Sequence, residues 1–188
     1  MTDHDDDLKE ACGVVGVYSP SQSVARVVFF ALYALQHRGQ ESSGIAASDG
    51  TGITNSTAMG LVGQAFQEED LTDLSGHIAI GHTRYSTTGS NNINNAQPIL
   101  SKNSDIEIAL AHNGNVINAV ELKKELVDWG CKFSSTSDSE IVAHLITHAP
   151  SNDWGQRIAY AMRRLEGAYS LAVMTKDALF GIRDPLGV

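Results

Sequence analysis

The chain has little of what builds cross-linked, membrane-embedded or nucleic-acid-binding proteins. Only two of its 188 residues are cysteine, Cys12 and Cys131, too few for the disulfide framework that staples small secreted domains. No apolar run reaches the roughly 20 residues that span a bilayer, and no signal-peptide pattern is present. A reducing, cytoplasmic setting (or an organelle stroma) with no membrane partner is therefore the expectation. Basic residues are also few: 13 Lys and Arg stand against 22 Asp and Glu, a formal charge of −9. That balance opposes binding to a phosphate backbone, so no nucleic acid partner is expected. The GxGxxG phosphate loop is missing too, because Gly13 and Gly16 fall inside a strand-like run.

What is present fits one domain of ordinary size with its own core. The first eleven residues, MTDHDDDLKEA, hold five acids and one lysine. Without them, 12 basic residues face 17 acidic ones and the charge falls to −5. Polar, acidic and aperiodic, this leader reads as disordered. From Cys12 onward the pattern becomes regular. CGVVGVY alternates as a first strand. SVARVVFFALYALQHRG carries Val24, Val28, Ala31, Leu32 and Leu35 on a helical face. GIAASDGTGITNS reads as a hairpin turned through Asp-Gly. HIAIGHTRYS, DIEIALAHNG, AYSLAVMT and ALFGIRD are further strands, and helices are expected at about 118–129, 138–148 and 153–165. Leu122, Leu126 and Trp129 line up in the first of these. TSDSE can cap the second and supply its acidic first turn, with Asp138 as a candidate cap. The expectation is α+β: a sheet structure covered by helices.

Polar residues gather where strands end, at Arg84 and at Asn113, as they do when loops build one pocket. Cys12 poses the sharpest question. Inside a chain its nitrogen is an amide and useless as a base. If the Ala11–Cys12 bond were cut, an α-amine with a pKa of about 7.7 to 8.0 would stand beside a thiol of about 8.5. One residue would then hold nucleophile and proton acceptor together. The alternative, an inert buried strand cysteine, remains open on position alone. Arg84 could hold a carboxylate by its fork and Asp138 an ammonium, which together would grip an α-amino acid. Each alone reads equally as a structural pair or a helix cap. Asn113 and Gly114 in HNGN could aim a side-chain amide and a backbone N–H at one oxygen, although Asn-Gly is first of all a turn. His37, His77, His82, His112, His144 and His148 invite a metal. HLITH lacks the glutamate of HExxH and shows no further ligand cluster, so none is assigned, and Leu145 and Ile146 read as core.

Taken in order, CGVVGV, ALQHRGQESSGIA, GHTRYSTTG with NAQP, AHNGN, STSDSE, LEGAYS and GIRDPLG resemble the glutaminase domain of class II glutamine amidotransferases, a branch of the N-terminal nucleophile hydrolases. QHRGQES and TRYSTTG resemble the phosphoribosylpyrophosphate-using branch. Glucosamine-6-phosphate synthase, the alternative, usually shows YRGYDS and TRWATHG.

The resemblance implies a four-layer αββα sandwich of two facing, mainly antiparallel sheets. It implies Cys12 as nucleophile, Asn113 and Gly114 as oxyanion donors, Arg84 and Asp138 on the carboxylate and ammonium of L-glutamine, and Arg38, Tyr85, Ser86 and Thr87 shaping the pocket and its lid. Residues 1–11 would be a propeptide lost by self-cleavage and 12–188 the glutaminase domain. Its partner would be a phosphoribosyltransferase domain C-terminal to Val188, in an enzyme that forms homo-oligomers and serves purine biosynthesis. No cofactor is implied in this domain. Mg2+ with phosphoribosylpyrophosphate, and any iron-sulfur cluster, would belong to that remainder. A glutamine-binding fragment without turnover is the competing expectation.

Overall fold

Among the described residues eight strands form, some alternating and some buried throughout, and these pair into two separate four-stranded antiparallel sheets. The computed structural model describes residues 12–21, 23–85 and 92–187. The first sheet has the order β1-β4-β2-β3, from β1 (Gly13–Tyr18), β2 (Ser42–Ser48), β3 (Ile53–Met59) and β4 (Ile78–Arg84). The second has the order β5-β6-β7-β8, from β5 (Ile99–Asn103), β6 (Ile106–Val116), β7 (Gly167–Met174) and β8 (Leu179–Arg183). All pairings are antiparallel.

Three apolar layers separate four layers of structure. On one outer side α1 (Val24–Ala34) buries Val24, Ala25, Val28 and Leu32 against the first sheet, with α2 (Val62–Ala65) and α3 (Glu68–Asp73) beside it. On the other, α5 (Asp138–Thr147) covers the second sheet through Val142, Leu145 and Ile146, with Leu126 of α4 (Ala119–Asp128) and Ala161 of α6 (Trp154–Met162) joining the same cluster. Between the sheets lies a layer rich in small side chains: Ala46, Ala109, Ala111 and Ala172 with Ile78, Ile80 and Met174. The result is the αββα sandwich. Arg157 of α6 fastens the covering helices, donating to the carbonyls of Ile146 and Thr147 at the C-terminal end of α5 at 3.1 Å each.

The expected elements are in place, with four differences. Helix α1 ends at Ala34, and Gln36–Arg38 form a separate 3-10 turn. The helix α5 cap is Ser137, whose side chain accepts from the Ser139 N–H; Asp138 is the first helical residue. Trp129 does not complete the buried stripe of Leu122 and Leu126 but is 42% exposed, with the Arg164 guanidinium 5.5 Å above its ring. Strand β5 and helices α2 and α3 had no counterpart in the sequence pattern. The proposed leader, residues 1–11, lies outside the described residues, as do Ser86 and Thr87. No helix among the described residues is long and apolar enough to cross a membrane.

Candidate active site

The antiparallel register of the first sheet decides what surrounds Cys12. β1 pairs with β4 so that Gly13 faces Thr83, which brings Cys12 to the end of β4 that carries Arg84 and Tyr85. The Tyr85 N–H points to Cys12 Sγ at 3.5 Å, and the thiol can donate to the Tyr85 carbonyl at the same distance. Arg38 Nε donates to the Cys12 carbonyl at 3.4 Å, so the 3-10 turn after α1 steadies the residue from the other side. Burial pushes the Cys12 thiol up, and the Tyr85 N–H and the Arg84 charge only partly offset it. The sulfur is thus held as a neutral thiol that needs a base.

Arg84 is 7% exposed. Its Nη1 lies 3.3 Å from Glu41 Oε1, an almost buried pair that orients the guanidinium. Gly39 lets the segment leading to Glu41 pass against the backbone at the end of β4: a Cβ there would stand 2.6 Å from the Arg84 carbonyl carbon.

The opposite wall comes from β6 and the start of α5. Gly114 sits at φ +151°, and a Cβ on it would meet the Ala168 carbonyl oxygen at 2.1 Å, so the position demands glycine. Asp138 accepts from the Val116 N–H at 2.9 Å, and His112 Nδ1 lies 3.6 Å from its other oxygen. Burial pushes the Asp138 carboxyl up, but His112 and the N–H groups of Val116 and Ser139 outweigh it and hold it below the usual carboxylate range. Asp138 is therefore an anion fixed beside the cavity.

Together these residues line one open cavity of about 170 Å³, with Cys12, Arg84 and Tyr85 from one sheet and Gly114, Asn115 and Asp138 from the other half of the sandwich. Asn113, half-buried one position earlier, is not part of that lining, and Arg38 reaches the cavity only through the Cys12 carbonyl. A thiol, a cation and an anion around a glycine-lined wall can accommodate a small zwitterion and attack a carbonyl carbon in it.

Several contributors carried no signal in the sequence. Glu41 pairs with Arg84 across 43 positions of chain. Gln97 holds β6 in place, accepting from the His112 N–H at 2.7 Å and donating to the His112 carbonyl at 3.4 Å. His82 of β4 also meets the His112 carbonyl, at 3.0 Å, and so ties one sheet to the other. Burial lowers the His82 pKa to about 3, which keeps the ring neutral. None of these follows from spacing, since each depends on how two sheets are laid together.

Known proteins share this sequence and fold. A family model described as a glutamine amidotransferase domain matches residues 82–188. The amidophosphoribosyltransferase of Synechococcus elongatus is 50% identical over 182 residues, covering 96% of this chain and 37% of that protein. That of Methanothermobacter thermautotrophicus is 44% identical over 188 residues, 97% of this chain and 39% of the relative. Among solved structures, glutamine phosphoribosylpyrophosphate amidotransferase from B. subtilis superposes with a TM-score of 0.84 at 36% identity, covering 93% of this chain and 37% of that one. The chain thus spans little more than a third of the length of the relatives it matches.

Proposed function

The chain belongs to the glutamine amidotransferase family, and from that premise we propose that it hydrolyses the side-chain amide of glutamine to glutamate and ammonia. The observation that carries this reading is the convergence of Cys12, Arg84, Gly114 and Asp138, distant in sequence, on one cavity.

Each group has a task suited to its surroundings. Arg84, fixed on one side by Glu41, presents its remaining N–H groups to the substrate α-carboxylate. Asp138 receives the α-ammonium as a permanent anion. The amide carbonyl carbon then faces Cys12. Hydrolysis of the Ala11–Cys12 bond supplies the missing base: the freed α-amine takes the thiol proton, sulfur attacks, and a tetrahedral oxyanion forms. The Gly114 N–H and the Asn113 amide are its donors, each worth roughly 3 to 4 kcal/mol in such sites. The amine returns its proton to the leaving nitrogen, ammonia departs, and a γ-glutamyl thioester remains. Water, deprotonated by the same amine, releases glutamate and restores the thiol. Arg38 keeps Cys12 in place through its carbonyl, and Tyr85 lines the cavity beside it.

In this reading residues 1–11 are a propeptide and 12–188 a glutaminase domain that supplies ammonia to a phosphoribosyltransferase domain beyond Val188. The assembled enzyme is a cytoplasmic homo-oligomer making phosphoribosylamine for purine synthesis. The high similarity to amidophosphoribosyltransferases along nearly all of this chain supports it.

Intact mass before and after incubation, paired with glutamine-dependent ammonia release, tests the proposal. Release should follow loss of Met1 to Ala11 and vanish in Cys12→Ala. Active protein that still carries Ala11 would remove the amine from the mechanism, and binding of glutamine without turnover would leave only a binding module.

A further inference from the structure

Away from the cavity, three metal-type donors meet where the sequence pattern showed only two histidines. Cys131 follows α4, and His144 and His148 stand one helical turn apart at the end of α5. One donor atom from each lies within 4.8 Å of the other two. Cys131 Sγ is 3.5 Å from His148 Nε2. A tetrahedral zinc with bonds of about 2.3 Å to sulfur and 2.0–2.1 Å to nitrogen sets those donors about 3.6 Å apart. This edge of the cluster already has the length that a shared ion requires.

The proton arrangement also suits coordination. His148 Nδ1 lies 3.0 Å from the His144 carbonyl, which can only accept. Nδ1 therefore carries the hydrogen and Nε2 the lone pair; Cys131 Sγ stands beside the ring, 3.5 Å from Nε2 and 3.8 Å from Nδ1, so a rotamer adjustment of Cys131 is what brings its sulfur and the Nε2 lone pair onto one ion. Such an N–H to carbonyl bond is the usual outer support of a metal-binding histidine. His144 is held more loosely, with Nε2 3.2 Å from the Lys132 carbonyl and Nδ1 3.4 Å from Ser101 Oγ. It can exchange one of these contacts for an ion. Glu140 adds negative charge 4.0 Å from His144 Nε2. Its own oxygens are occupied by the N–H and hydroxyl groups of Ser134 and Ser135, so it stays outside the ligand set. Cys131 is 9% exposed and both histidines are half-buried, which shields the cluster while leaving a way in.

We propose that Cys131, His144 and His148 form a three-donor site for a divalent transition ion of the zinc class, with water in the fourth position. One thiolate and two imidazoles favour Zn2+ or Co2+ over Mg2+ or Ca2+. The thiol proton leaves to solvent as the sulfur–metal bond forms. The ion ties the chain after α4 to the last turn of α5, the helix whose first turn holds Asp138, and its effect is on stability rather than on chemistry.

Cobalt titration of the protein carrying Cys12→Ser tests this, because Cys131 is then the one thiol left. One equivalent should bind with a sulfur-to-cobalt charge-transfer band and the visible bands of tetrahedral cobalt. Zn2+ should displace it and raise the melting temperature. Cys131→Ser on that background should abolish the charge-transfer band, and His148→Gln should weaken binding about tenfold or more. Cobalt bound without the band, a band that survives Cys131→Ser, or no binding by the folded parent would each overturn the proposal. The last outcome would leave an ordinary S–H···N hydrogen bond between Cys131 and His148. The parent titration decides even if one variant fails to fold.

Discussion

Arg84 shows how one side chain can serve fold and site together. Its pairing with Glu41 is nearly buried, so removing the cation strands a carboxylate. Arg84→Ala should lower stability by about 3 to 5 kcal/mol, read from urea unfolding. Arg84→Lys keeps a charge for Glu41 but not the fork. It should leave the melting temperature within a few degrees of the parent while kcat/KM for glutamine falls by about tenfold or more. A sharp loss of stability with unchanged kinetics would make Arg84 purely structural. His82 offers a second single-residue test. Its pKa in the fold is about 3, against 6.5 when free, so the unfolded chain takes up the proton first as pH falls. Its contribution is complete above pH 6.5 and is lost progressively toward pH 3. At ~1.4 kcal/mol per pH unit, this histidine removes about 2 kcal/mol between pH 7 and 5. His144 is lowered in the same direction, mainly by burial, and adds to the slope. His82→Gln keeps a donor for the His112 carbonyl and has no proton to gain. Its urea midpoint should fall less over that interval; an equal fall in both proteins would show that His82 is not the sensor.

Among the elements, β6 and α5 matter most, because each delivers its residue through its own backbone geometry. Gly114→Ala should lose glutaminase activity and unfold earlier, since a methyl would meet the Ala168 oxygen at 2.1 Å and φ is +151°. Ser137→Ala removes the α5 cap, for about 1 kcal/mol, and loosens the turn that aims Asp138. KM should rise more than kcat falls, and equal losses in both would place Ser137 outside substrate binding. These elements were also the more legible ones. β6 announces itself through Ile106, Ile108 and Leu110, and α5 through TSDSE ahead of an apolar run. β5 was hidden because Ile99–Asn103 offers two apolar residues just after Pro98, and α2 and α3 because 4 and 6 residues are too few for a helical period. Cys131 was passed over for a related reason: its distance from His148 is set by how α4 and α5 pack, which no local pattern records.

For the whole molecule, the decisive fact is that neither sheet holds the site alone. Cys12 and Arg84 belong to one, Gly114 to the other, and Asp138 to a helix over the second. Local periodicity could announce strands and helices but not the pairing of β1 with β4, from Tyr18 with Ile78 to Gly13 with Thr83, nor the stacking of two sheets. The resemblance supplied the four layers, and with them the expectation that these residues meet. The pairing partners Glu41, Gln97 and His82 emerged only with the register.

The alanine-lined seam between the sheets has a mechanical consequence. Methyl groups act there as shims of fixed thickness, so the gap between nucleophile and opposing wall is gauged by residues that never touch the reaction. Enlarging one, as in Ala111→Leu, should wedge the two slabs apart and spoil alignment while every catalytic group stays intact. Glutamine turnover should then drop further than loss of folded protein explains.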